Sequence, residues 1–91
     1  MINLIHDYVV DVNQYNYILM IDRHRQDKKG KPVYETLSYH GDLEGAIFAA
    51  KRDYVKKQLG EEPCVLDEAI RIINQVHEEF SDLLKEVLKN A

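Results

Sequence analysis

Between positions 66 and 87 the apolar residues recur at intervals of four, three, four, three, four and three: Leu66, Ile70, Ile73, His77, Phe80, Leu84 and Val87. Such spacing holds one stripe of a long helix against a partner surface. About three heptads are short for a coiled coil, and Ala69, Val76 and Leu83 broaden the stripe beyond a two-helix seam. A helix over residues 65–89 is therefore expected to pack inside a globular domain. His77, the one polar member of the line, is expected as a satisfied core or interface residue.

Upstream the pattern changes period. Tyr8-Val9-Val10-Asp11-Val12 is β-branched and aromatic, as strands prefer. Asn13-Gln14 suits a reversal, because Asn tolerates left-handed geometry. A second strand is expected over residues 15–25. One of its faces carries Tyr15, Tyr17, Leu19 and Ile21, the other Asn16, Ile18, Met20 and Asp22, so it reads as central. A charged loop, residues 26–32, leads to a third strand over 33–40, with Gly30 available for a positive φ.

Asp42 is placed to cap a first helix over 43–59, and Gly60 to stop it. That helix shows two apolar stripes. Leu43, Ala46, Ile47, Ala50 and Tyr54 form one; Phe48, Val55 and Leu59 form another. The small residues Gly45, Ala46, Ala49 and Ala50 allow close approach. Gly60-Glu61-Glu62-Pro63 connects it to the second helix. The expected fold is α+β: a three-stranded antiparallel meander followed by two helices packed on one face, in a single domain over residues 1–91. At ~1.5 Å per residue the second helix is the longer. Its C-terminal turns (Phe80, Leu83, Leu84, Val87, Leu88) are expected to overhang as a partner or homodimer surface.

The 91 residues allow one modest core, and 45% hydrophobic with 31% charged content argues against disorder. No apolar run approaches a membrane span, and Met1-Ile2-Asn3-Leu4-Ile5 lacks the basic start of a signal peptide. One cysteine cannot form an internal disulfide, so a cytoplasmic location is expected.

Motifs for catalysis are not evident. Cys64 sits among Pro63, Val65 and Leu66, which points to a buried, inert thiol. His6, His24 and His40 are scattered over the strands without the i, i+4 spacing of a zinc helix; Asp22 and His24 share a strand face, but two ligands do not make a site. Gly30, Gly41, Gly45 and Gly60 match no nucleotide-binding loop. Glu61-Glu62 and Glu78-Glu79 read as solvated neighbours. No cofactor or metal is expected, and no enzymatic activity.

Charge is uneven. Residues 1–59 carry nine Lys/Arg against eight Asp/Glu, residues 60–91 three against eight. The acidic second helix is a poor phosphate binder. Arg23, Arg25, Lys28, Lys29 and Lys31 cluster around the second strand's end. Lys51, Arg52, Lys56 and Lys57 cluster on the first helix. A sheet with a basic hairpin is the plan of some β-ribbon nucleic-acid readers, although Asp22, Asp27 and Asp53 interrupt both clusters.

The run YNYILMIDRHRQDKKGKPVYETLSYHGDLEGAIFAA, together with the residues up to Leu59, resembles a family of small phage and prophage proteins of unknown function. The matching pieces are Lys28 to Lys31, Ser38-Tyr39-His40 and Leu43-Glu44-Gly45-Ala46-Ile47, with Gly45 standing where the family prefers a helix former. The resemblance implies an accessory protein of a mobile element in a bacterial cytoplasm, binding and blocking host machinery such as defence nucleases. It supplies no catalytic residues. The function expected is a non-enzymatic binding protein acting on a host macromolecule. Its contact surface is placed on the outer sheet face (Ile18, Met20, Tyr34) or the end of the last helix. The alternatives are a nucleic-acid binder using the two basic clusters and a purely structural homo-oligomer.

Overall fold

The computed structural model describes residues 1–60 and 63–89, with side chains for 1–60 and 63–86. The fold is α+β: a four-stranded antiparallel sheet followed by two helices. The strands are β1 (Ile2–Asn3), β2 (Tyr8–Val12), β3 (Tyr17–Gln26) and β4 (Pro32–His40), in that order across the sheet. The helices are α1 (Leu43–Gly60) and α2 (Leu66–Lys89). Two compact units result, Met1–Ala49 and Ala50–Ala91, divided inside α1. Glu61 and Glu62 of the expected connector lie outside the described residues.

The sheet has four strands where three were expected. The extra one, β1, pairs Ile2 with Val10 and Asn3 with Val9. Two residues are too few to show a period. The turn that follows holds His6 at φ 55 and Asp7 at φ 69, a region His and Asp tolerate better than most residues.

Polar side chains set the turns of this unit. Asn13 Oδ1 accepts the N–H groups of Tyr15 and Asn16, both at 2.8 Å. That local turn takes up residues 15 and 16, so β3 starts at Tyr17 rather than Tyr15. Asp27 Oδ1 accepts from the N–H of Lys29 (2.8 Å) and Lys31 (3.0 Å), and Gly30 takes φ 79. Asp42 caps α1 by accepting the Gly45 N–H at 2.7 Å. A Cβ on Gly45 would lie 2.8 Å from Asp42 Oδ1, which accounts for glycine inside the first helical turn.

Register assigns the faces, since directly opposed residues share one. Tyr8 opposes Ile21 and Val10 opposes Leu19, and all four are buried. The other face carries Ile18, Met20 and Tyr34, each half-buried, with Tyr39 opposite Ile18 and 63% exposed. β3 is central, as its two apolar faces implied.

In the second unit Ala50, Val76 and Phe80 are buried, and the Tyr54 and Phe80 rings meet at 6.4 Å and 45°. Phe80, expected on an overhanging surface, is fully buried instead. At ~100° per residue the broad stripe of α2 runs from Ile72 to Ile70, with its middle near Val76 and Phe80. Leu66, Ile70 and His77 lie on its flank. Leu66 is 74% and Ile70 47% exposed, and His77 is exposed rather than a core residue. Leu83 and Leu84 are half-buried; the side chains of Val87 and Leu88 lie outside the described residues. Cys64 is exposed too, because no described helical turn encloses the segment 63–65 ahead of α2.

Candidate functional site

Two regions collect the side chains that bear on function, one in each unit.

In the sheet unit, register bulges between Asp22 and Gln26 bring His24 into contact with the β1–β2 turn. His24 adopts φ 55, and its N–H donates to Asp22 Oδ1 at 2.8 Å. Its Nε2 lies 2.8 Å from Asp7 Oδ1, while Nδ1 is 4.0 Å from Asp22 Oδ2. The Asp22 N–H donates to the Asp7 carbonyl at 2.9 Å. The bond to Asp7, that carboxylate's charge and the charge of Asp22 together raise the His24 pKa above 6.5. Asp7 was missed at the sequence level because its partnership with His24 depends on strand register. An open depression of about 450 Å3 adjoins His24, lined by Asp22, Arg25, Gln26 and Pro32. Among the described residues no group of three His, Cys, Asp or Glu side chains is arranged to hold a metal ion.

Arg23 is ion-paired with Glu35. Arg25 borders the depression, and Lys28, Lys29 and Lys31 are exposed on the Asp27 turn. Ile18, Met20 and Tyr34 do share the less buried sheet face, in rows with Asp11, Thr36 and Asp22.

In the helical unit, α1 and α2 border an apolar groove of about 320 Å3, lined by Lys51, Arg52, Val55, Lys56, Ile73 and His77. Its surface is almost wholly carbon, so the cationic residues contribute their aliphatic stems to it. Lys57, the fourth cation of that helix, pairs with Asp53 at 3.1 Å. Of α2, Ile73 and His77 line the groove, and their line on the helix continues beyond it to the exposed Ile70 and Leu66, about 16 Å in all at 1.5 Å per residue. Val65, 65% exposed, extends the apolar patch at its start. Among the described residues, exposed apolar side chains of α2 stand at its N-terminal end, at Leu66 and Ile70. The signal was present in the sequence: the side of the stripe bearing Ala69, Val76 and Leu83 marks its middle, which leaves Leu66 and Ile70 at an edge.

No helix among the described residues is long and apolar enough to cross a membrane. Comparison with known proteins finds no matching family model, curated protein or solved structure.

Proposed function

We propose that this chain is a small non-enzymatic protein-binding module that makes contact through its helical unit. The observation that carries this reading is the exposure of the large apolar residues Val65, Leu66 and Ile70 at and just before the start of the helix whose Ile73 and His77 line the α1–α2 groove. Exposed apolar side chains that are contiguous, as opposed to scattered, mark contact surfaces. The basic clusters support a nucleic-acid reading less well, since Arg23 and Lys57 are held by Glu35 and Asp53. The resemblance to small phage and prophage proteins supports an accessory or inhibitory role on a host macromolecule in a bacterial cytoplasm.

The test compares bacterial proteins retained by the immobilised chain and by a Leu66→Ser/Ile70→Ser variant. One or more proteins held by the parent and lost by the variant is the expected result. Equal retention by both sinks the proposal. A duplex or single strand retained at ~50 mM salt in place of any protein replaces it with the nucleic-acid reading, because phosphate-driven binding is strongest there.

A further inference from the structure

We infer that the α1–α2 groove accepts an acidic amphipathic helix of the partner protein, an inference that rests on the binding-module reading above. The groove combines three features that together select this occupant.

Its floor is apolar. Val55 and Ile73 are half-buried within it, and the stems of Lys51, Arg52 and Lys56 complete a carbon surface. Such a floor takes side chains rather than a polar backbone, which disfavours an extended peptide needing strand hydrogen bonds.

Its edge is linear and helical in pitch. Leu66, Ile70, Ile73 and His77 step along α2 by four, three and four residues. A second helix laid beside this line meets apolar residues at intervals matching its own i, i+4, i+7 stripe. From the groove at His77 and Ile73 out to Leu66 this line runs about 16 Å, three helical turns.

Its border is cationic. Lys51, Arg52 and Lys56 all belong to the α1 side, in a chain whose net charge is −4. α2 carries the opposite sign, with Asp67 and Glu68 in its first turn. A partner helix bearing carboxylates on the flank that meets α1 is attracted there, while a basic helix meets repulsion along α1. Charge therefore sets the sign of the partner, and the apolar line sets its secondary structure.

The probe is an 18-residue amidated peptide with a leucine stripe at i, i+4, i+7 and glutamate on the flank that meets α1, carrying a fluorophore and titrated against the full chain. Saturable binding by anisotropy is expected, with methyl shifts at Val55, Ile70 and Ile73 and none at Ile18 or Met20 on the sheet. Replacing every glutamate by lysine is expected to weaken binding by about tenfold or more, and so is Arg52→Glu/Lys56→Glu in the protein. Circular dichroism of that double variant, altered only at exposed positions, reads whether it remains folded. Equal affinity for the two peptides overturns the inference, as does an affinity indifferent to Arg52→Glu/Lys56→Glu or no binding up to about 0.5 mM. A dimer by sedimentation that Ile70→Ser dissociates also overturns it, because a second copy then fills the groove. If Arg52→Glu/Lys56→Glu keeps the bacterial partner that Leu66→Ser/Ile70→Ser loses, the module reading stands and the acidic helix falls. Loss of no protein by either variant removes the module reading itself.

Discussion

The two units of this chain use their side chains in opposite ways. In the sheet unit polar groups are spent on local geometry: Asn13, Asp22, Asp27 and Asp42 each accept from a backbone N–H two to four residues away. Arg23 and His24 are tied to Glu35 and Asp7. Charged residues there hold turns and bulges. In the helical unit the apolar stripe of α2 is wider than what is buried of it, and its flank stands open beside cations. The contrast separates polar side chains that hold the backbone from apolar ones left exposed, by asking what each is already doing.

Substitutions break or sharpen that contrast. The largest effect is expected inside the helical unit. Phe80→Ala should cost about 3–5 kcal/mol by urea unfolding, since a fully buried ring is replaced by a cavity. Ile70→Ser, one and a half heptads away on the same helix, should stay within about 0.5 kcal/mol. Equal losses at the two positions would show that the flank is core. Next comes the sheet unit's polar device at α1. Asp42→Ala should cost about 1 kcal/mol, the usual value of an N-cap. Gly45→Ala should be close to neutral, because its gain in helix propensity is offset by crowding Asp42 Oδ1.

The smallest effect concerns pH. His24 titrates above 6.5 in the folded chain, through Asp7 first and Asp22 second. A raised folded pKa means that the pairing stabilises the fold fully below the unfolded value. The contribution fades as pH rises through the folded one. NMR titration of the ring should show the raised pKa in the parent and a value nearer 6.5 in Asp7→Asn. The parent's melting advantage over that variant should shrink from pH 5.5 to pH 8. An unchanged His24 pKa in Asp7→Asn would dissolve the link between the β1–β2 turn and the β3 bulge.

Most of the architecture was legible from periodicity. The two apolar faces of β3 and the Asp42 cap are local or near-local signals, and local signals survive folding. β1 was not legible, because Ile2 and Asn3 form a strand only through pairing with Val10 and Val9. The Asp7–His24 pair was hidden for the same reason. Phe80 was expected to overhang on grounds of helix length alone, and Leu66 to be covered because a four-three spacing picks out one line. Burial follows the middle of the whole stripe, which Ala69, Val76 and Leu83 shift by roughly 20°.

One exposed atom has a practical consequence. Cys64 is the chain's single thiol and stands two residues ahead of Leu66. An exposed thiol is open to oxidation into an intermolecular disulfide, so size measurements need reductant to separate a covalent pair from one held by surface affinity. The same thiol takes one maleimide dye at a defined position, and its emission then reports directly on whether the neighbouring leucine is covered.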